Sequence, residues 1–444
     1  MNLERNIVGI VDAGGRGATL HRVYEKSPHV DGLVVFPGND MIKKMAVKPT
    51  EVFTGDKTTD AEQIVETFLK EGVTLADVAQ DNAVEVGVAD RLREAGIPTV
   101  GPFREAGKIE WSKSYARRLG EKAEIRQPGY SVHTSIVSGE EYLDSRGEGG
   151  FAIKADGLAE GKGVKIARDR QEAKKLIREL KEQFPKAAET FLIEELVNGE
   201  EFSTFFVSDG ENVKIVGHAQ DHKRERDNDE GENTGGMGCS SPPLLMTEGI
   251  ERDVLEDTEK IVRILASEGN PYKGVGYYGG MYDKMLNIAN NIEFNSRWGD
   301  PEVQVVAPGL TTDMYELAVA IVEKHLAQFE VTSDTLARVS VAGASRGYPR
   351  SYEAVKGKEI FGLEDIIGMK GVELYGAGIK IDENGKYRAN GGRLFYIVGE
   401  GKNVIEAREK AYCAMAKVHV DGNNLIYRTD IGWRDVQRLR EEGY

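Results

Sequence analysis

Two short stretches carry side chains whose types and spacing suit polyphosphate chemistry. The first runs from Ile153 through Lys154, Asp156, Gly157, Gly161, Lys162 and Gly163 to Val164. Glycine lets the backbone approach a phosphate closely and offers its N–H to the oxygens. Lysine supplies a mobile point charge for the same oxygens. The second stretch holds Glu293, Asn295 and Arg297 at alternate positions. In a strand, Glu293 and Asn295 point to one face and Arg297 continues the alternation. A carboxylate beside an amide oxygen suits Mg²⁺, which takes few protein oxygens and shares phosphate oxygens and waters. Arg297 adds a planar fork for a carboxylate or a phosphate. Each stretch alone also has a plainer reading, the first as a hairpin turn and the second as a solvated strand face.

The elements that must position these residues follow from hydrophobic pattern and turn chemistry. Apolar pairs on both sides of the glycine stretch predict strand, flexible loop, strand. Near the N-terminus, the apolar run Ile7 to Val11 leads into Gly14, Gly15, Arg16 and Gly17, with a helix expected from Ala18 to Ser27. A second strand at Val34 to Phe36 ends in Pro37, Gly38 and Asn39. A strand running through glycines to a helix N-terminus is a general anion site. The loop is not a full G-x-G-x-x-G, so dinucleotide binding is not supported. Ile97 to Pro102 reads as the last strand of this unit. Helices are expected from Glu110 onward, over Arg170 to Phe184, over 250–268, from Met314 to Leu326 and from Asn403 to Lys417. A nearly apolar strand spans Phe191 to Leu196, a core strand Gly274 to Tyr282, and the polar run Glu225 to Glu232 reads as a mobile loop. Beyond Ala337 the pattern turns β-rich.

Composition bounds the class. The 444 residues imply about three domains, with 40% hydrophobic and 30% charged content typical of a globular protein. No apolar run approaches the roughly 20 residues of a membrane span. Two cysteines, Cys239 and Cys413, argue against a disulfide framework and suit a reducing cytoplasm, each expected as a buried thiol. The net charge of −16 argues against a nucleic-acid surface. It also means that any phosphorylated substrate meets a repulsive field which local lysines, arginines and amides must overcome.

The order of four motifs resembles the ATP-grasp ligases and, more narrowly, the phosphoribosylamine–glycine ligases. These are Lys154-Ala155-Asp156-Gly157-Leu158-Ala159 with Gly161-Lys162-Gly163; Glu194-Glu195-Leu196 with Gly199-Glu200-Glu201; Asn233-Thr234-Gly235-Gly236-Met237-Gly238; and Glu293-Phe294-Asn295 with Arg297, Gly299, Asp300, Pro301 and Glu302. The likeness runs from the first strand to the last dozen residues. It implies an α/β ATP-grasp fold with an N-terminal Rossmann-like (pre-ATP-grasp) domain and a C-terminal β-rich hybrid domain. Boundaries are expected at residues 1–109, 110–335 and 336–444, with a small lid subdomain at about 125–197.

The resemblance also implies roles. ATP would be held by Lys113, Lys154, Gly161, Lys162, Gly163, Glu194, Leu196 and Glu201, with adenine on backbone groups of the 191–196 strand and the ribose on Glu201. Mg²⁺ or Mn²⁺ would sit on Glu293 and Asn295. Arg297, Lys154 and Lys162 would serve the reaction itself. Glycine and a phosphorylated sugar amine would meet Gly14, Gly15, Arg16, Gly38, Asn39, Asp81, Asp221, Lys223, Asn233, Gly235, Gly236, Arg297 and Asp300. The implied reaction joins glycine to 5-phosphoribosylamine at the expense of ATP, in purine biosynthesis. A cytoplasmic monomer or weak homodimer that binds neither nucleic acid nor membrane is expected.

Two loops depart from the family pattern. Gly14-Gly15-Arg16-Gly17-Ala18-Thr19 stands where the family reads Gly-Gly-Arg-Glu-His-Ala, and Ala79-Gln80-Asp81-Asn82 stands where it reads Gly-Pro-Glu. Both belong to the amine pocket. They leave ATP use intact and open a second reading, a ligase of the same build with another amine. A nucleotide-binding regulatory module without turnover is the third, and the intact Lys154, Glu293, Asn295 and Arg297 speak against it.

Overall fold

The apolar runs Ile7–Val11, Gly32–Val35 and Leu75–Val78 are buried on both faces, which a parallel sheet sandwiched by helices requires. A computed structural model describes residues 5–159 and 161–443. In it these strands form a parallel sheet ordered Thr50–Val52, Gly32–Val35, Ile7–Val11, Leu75–Val78, Thr99–Val100. The helix expected from Ala18 begins earlier, as Gly15–Lys26. The cause is Asp12, whose Oδ1 accepts from the Gly14 amide at 2.7 Å and the Gly17 amide at 2.8 Å. A carboxylate there satisfies donors of the helix N-terminus that Gly14 has no side chain to reach.

A four-stranded antiparallel sheet follows, ordered Tyr130–His133, Phe191–Glu195, Phe151–Ala155, Val164–Ala167. Helices Ile136–Ser145 and Arg170–Gln183 cover it, burying Leu143, Ile177, Leu180 and Phe191. Asp169 starts the second helix by accepting from the Glu172 amide at 2.9 Å.

The third sheet has nine strands. Its main path runs Ile288–Asn295, Lys273–Asp283, Glu200–Asp209, Val213–Asp221, Gly238–Ser241, Ala337–Ser345, Arg393–Gly401, Val372–Gly376. Gly238–Ser241 pairs antiparallel with Ala337–Ser345, so hydrogen bonding continues between the central and C-terminal parts of the chain.

Three local expectations change. Glu225 to Glu232 is a short hairpin of Arg224–Arg226 and Glu230–Asn233, not a loose loop. Acids at its tip pin it to the C-terminal segment: Arg428 and Arg434 reach Asp229 at 2.9 and 2.6 Å, and the Thr429 amide reaches Asp227 at 2.8 Å. The helix from Met314 stops at Val322, because Lys324 takes a left-handed backbone at φ 61°. Of the two free cysteines, Cys239 is buried and Cys413 is exposed, on the outer face of Val404–Met415. Among the described residues, no helix is long and apolar enough to cross a membrane.

Candidate functional site

One cleft of about 950 Å³ lies where all three sheets meet. The small sheet contributes Lys154, Glu194, Leu196 and the loop residues Gly161, Lys162 and Gly163. The large sheet contributes Glu201, Asp221, Lys223, Glu293 and Asn295, and the loop after it Arg297, Asp300 and Glu302. Asn233, Gly235 and Lys113 complete the central lining, and Arg16 and Asp81 reach it from the N-terminal unit. The glycine loop and the acid–amide strand, far apart in sequence, therefore face one space.

An ionic triad fixes one wall. Arg117, on the helix Lys113–Lys122, donates Nε to Glu194 Oε1 at 2.7 Å and its second nitrogen to Oε2 at 3.0 Å. Lys154 Nζ stands 2.7 Å from the same Oε2 and donates to the Ile292 carbonyl at 3.1 Å. Burial pushes the Glu194 carboxyl up, but Lys154 and Arg117 outweigh it and hold it down at about 2. Glu194 thus spends its side chain on the wall. Lys154 is tied to both the small sheet and the metal-candidate strand.

Glu293 sits opposite. Burial raises its pKa, and Lys223, Lys154 and Lys113 together bring it down to about 2. Lys223 bridges Glu201, in a very short contact, and Glu293 at 3.4 Å. Next along the strand, Asn295 Oδ1 accepts from Arg297 at 3.3 Å, while Asn295 Nδ2 has no partner among the described residues. Arg297 pairs with buried Glu110 at 2.9 Å and lies 5.5 Å from the Tyr277 ring centre, with its Nε unpartnered among the described residues. Glu110 is itself fixed by the Ser296 amide at 2.8 Å and hydroxyl at 3.0 Å.

Asp221 is half-buried, and its Oδ1, shielded from solvent, has no partner among the described residues. Burial and the neighbouring Glu302 push its pKa well up, against Lys223. Gly236 approaches it: a Cβ there would lie 2.7 Å from that oxygen and 2.3 Å from Pro301 Cδ, at φ 102°. Arg393, from the C-terminal sheet, gathers this corner. It donates to the carbonyls of Gly235, Gly236 (3.2 Å) and Asp300 (2.8 Å), and to the Asp300 carboxylate at 3.2 Å. The Tyr348 hydroxyl accepts from the Gly235 amide at 3.0 Å.

The N-terminal loops are placed differently from expectation. Gly14, Gly15, Gly38 and Asn39 do not line the cleft, and neither does Gly236. A Cβ at Gly15 would strike Tyr396, and one at Gly38 would strike Val52. Asn39 caps the helix Asp40–Met45, accepting from the Met41 and Ile42 amides at 3.1 and 3.3 Å, while its Nδ2 donates to Gly376 at 3.1 Å. Asn39→Ala is therefore expected to cost about 1 kcal/mol of stability. Thermal unfolding checks this, with the KM for the amine unchanged. Arg16 does reach the cleft, with its nitrogens on Asp12 (2.8 Å), the Trp298 carbonyl (2.6 Å) and Gln80 (2.9 Å).

Glu110, Arg117, Tyr348 and Arg393 carry no site role in the sequence reading. Each works through a partner distant in the chain, and no local spacing marks them. The donor set fits Mg·ATP. Two strand oxygens face a wall of lysines, and among the described residues no group of three or more His, Cys, Asp or Glu could hold a metal. A hard cation on Glu293 and Asn295 would then complete its shell with phosphate oxygens and waters.

Comparison with known proteins agrees with this architecture. Family models of phosphoribosylglycinamide synthetase match in order: the N domain at residues 6–110, the ATP-grasp (A) domain at 111–303 and the C domain at 338–434. A phosphoribosylamine–glycine ligase of Caulobacter vibrioides is 36% identical over 439 residues, covering 98% of this chain and 100% of its own. The chloroplastic enzyme of Arabidopsis thaliana is 34% identical over 434 residues, 95% of this chain and 79% of its own. The crystal structure of the Thermotoga maritima phosphoribosylamine–glycine ligase superposes with a TM-score of 0.79 at 28% identity, over 96% of this chain and 100% of that one. A biotin carboxylase domain from Hydrogenobacter thermophilus shares the fold, with a TM-score of 0.72 at 15% identity over 95% of this chain and 91% of that one. The chain belongs to the phosphoribosylamine–glycine ligase family of ATP-grasp enzymes.

Proposed function

We propose that this protein ligates glycine to 5-phosphoribosylamine, forming glycinamide ribonucleotide, ADP and phosphate in purine biosynthesis. The observation that carries this reading is the shared cleft: Lys154 and the glycine loop on one wall, Glu293 and Asn295 on the other. A carboxylate is a poor acylating agent because its leaving group would be oxide. Transfer of the γ-phosphoryl group to the glycine carboxylate gives an acyl phosphate, and the amine displaces phosphate from it. Such transfer needs positioning and charge stabilisation more than covalent help.

Glu293 and Asn295 would hold Mg²⁺ or Mn²⁺, which neutralises charge between the phosphates. Lys113, Lys154 and Lys162 line the same cleft and would balance the charge of the triphosphate oxygens. Leu196 and the backbone of the 191–195 strand form the base side, and Glu201 is placed for the ribose hydroxyls. Arg297, held in orientation by Glu110, presents its fork to the glycine carboxylate or the transferring phosphoryl. Asp221, with its open oxygen beside Gly236, suits the glycine ammonium, and Lys223, Asn233, Gly235 and Asp300 frame that end. The lid carrying Gly161 to Gly163 must exclude water, since an acyl phosphate hydrolyses readily.

Gly236→Ala tests the ammonium corner. The added methyl would fall against Asp221 and Pro301 in a backbone conformation that disfavours any side chain. A rise of about tenfold or more in the KM for glycine is expected, with ATP affinity intact, on the scale of about 1.4 kcal/mol per tenfold. Equal glycine kinetics in the variant would remove Gly236 from that corner.

The identity of the amine has a second reading. Arg16 spends its nitrogens on protein partners, and Gly14, Gly15, Gly38 and Asn39 lie outside the cleft. A ligase of the same build acting on another amine rests on the two altered loops, Gly17-Ala18-Thr19 and Ala79-Gln80-Asp81-Asn82. ADP release with glycine, measured with phosphoribosylamine and with other amines, separates the two. Release stimulated by phosphoribosylamine supports the first reading, and stimulation by another amine alone supports the second.

A further inference from the structure

Glu302 lines the cleft directly after Pro301, and the contacts assigned to metal, nucleotide and glycine leave it unused. The residue is 3% exposed. Apart from its own backbone amide, no group among the described residues hydrogen-bonds or ion-pairs with its carboxylate. Neither oxygen is among the partnerless atoms closed off from solvent, so the carboxylate opens onto the space it lines. A glycine builds its seat: a Cβ at Gly299 would lie 2.6 Å from Glu302 Oε2. The bare backbone there lets the side chain fold back over the turn.

A buried charge without a partner is costly unless a ligand or a proton compensates it. The cations around Glu302 are committed to other acids. Lys223 pairs with Glu201 and Glu293, Arg297 with Glu110, and Arg393 with Asp300. Asp221 is a second acid of this corner without an ion pair among the described residues, and Glu302 is the strongest charge acting on it. Burial raises the Glu302 carboxyl above its ordinary range, against Lys223 and Arg297, with Asp300 adding to the rise. Tyr277 and Cys239 also face it, and burial pushes both up, so neither carries charge at neutral pH.

Glu302 therefore stands by both ends of a bound glycine, Asp221 on the ammonium side and Arg297 on the carboxylate side. We propose that Glu302 is the proton acceptor of the ligation step, taking a proton from the amine nitrogen as it attacks the glycyl phosphate. This role rests on the ligase reading of the cleft. The amine nitrogen forms a bond to the carbonyl carbon and becomes positively charged. The C–O bond to phosphate breaks, and inorganic phosphate departs with the electron pair. One N–H proton passes to Glu302, which leaves a neutral amide, and the carboxylic acid later gives that proton to water. A carboxylate shielded from bulk water and free of a paired cation suits this transfer.

Glu302→Gln in the full-length protein tests it, by steady-state kinetics at saturating ATP across the pH range. A fall in kcat of about a hundredfold or more is expected, with the KM for glycine within about threefold. Wild-type kcat should decline on the acid side as Glu302 becomes protonated, and that decline should vanish in the variant. Glu302→Asp keeps a carboxylate one methylene further back and should restore part of kcat together with the acid-side decline. A kcat near wild type in Glu302→Gln, a loss confined to the KM for glycine, or an acid-side decline that persists overturns the proposal. If the amide variant does not fold, the aspartate decides alone: kcat lowered about tenfold with the decline retained supports the role, and unchanged kcat overturns it. Should wild type use another amine only, the reading of the amine fails, and the same series with that amine still tests Glu302. No ADP release by wild type with any amine refutes the ligase reading, and the proposal with it.

Discussion

Glu293→Gln is expected to lower turnover by about a hundredfold or more, roughly 3 kcal/mol of lost transition-state stabilisation. The change keeps shape and volume and removes one negative charge. That charge faces Lys223, Lys154 and Lys113, which hold the carboxyl ionised down to about pH 2. An amide in its place is a poorer ligand for a hard cation and leaves three lysines with one acid fewer among them. ADP release at saturating ATP and glycine measures the effect. The magnesium concentration for half-maximal rate should rise with it, while melting temperature changes little. Wild-type turnover with unchanged magnesium dependence would remove Glu293 from the metal site.

The second large effect is on stability. Glu194→Leu is expected to cost about 3–5 kcal/mol, because it strands two buried cations, Arg117 and Lys154, that share this one carboxylate. The pH dependence has a definite sign. Glu194 drops from an ordinary value of 4.5 to about 2 on folding, so its contribution is present above about pH 4.5 and is lost as pH falls through 2. The shift corresponds to about 3 kcal/mol. Denaturant titrations of wild type and variant at pH 7 should differ by several kcal/mol. The gap should narrow as the pH falls from 4.5 toward 2. A constant gap over that range would mean that Glu194 acts through packing and not through charge.

Much of this arrangement is legible in the sequence. Glycines and lysines between apolar pairs give the strand–loop–strand of the lid, and the alternation of Glu293 and Asn295 puts both on the cleft face. The helix Arg170–Gln183 follows from its periodicity and from Asp169 as its cap. What escapes is what depends on long-range pairing. Arg117 becomes functional only because strand Phe191–Glu195 brings Glu194 beside it, and Arg393 only because the C-terminal sheet continues the central one. The Glu225 to Glu232 run, polar throughout, gains its hairpin from Arg428 and Arg434, which lie far downstream. Asn39 shows the opposite case. Its position after a glycine resembles a ligand loop, yet cap geometry and the Gly376 carbonyl use its whole amide.

The central claim is that one triphosphate is gripped from both walls of one cleft. A crystal structure with Mg²⁺ and a non-hydrolysable ATP analogue tests it most directly. The account predicts a metal about 2.1 Å from oxygens of Glu293 and Asn295, and phosphate oxygens about 3 Å from Lys154 Nζ in the same complex. A nucleotide bound with its phosphates away from either Lys154 or Glu293 would contradict it.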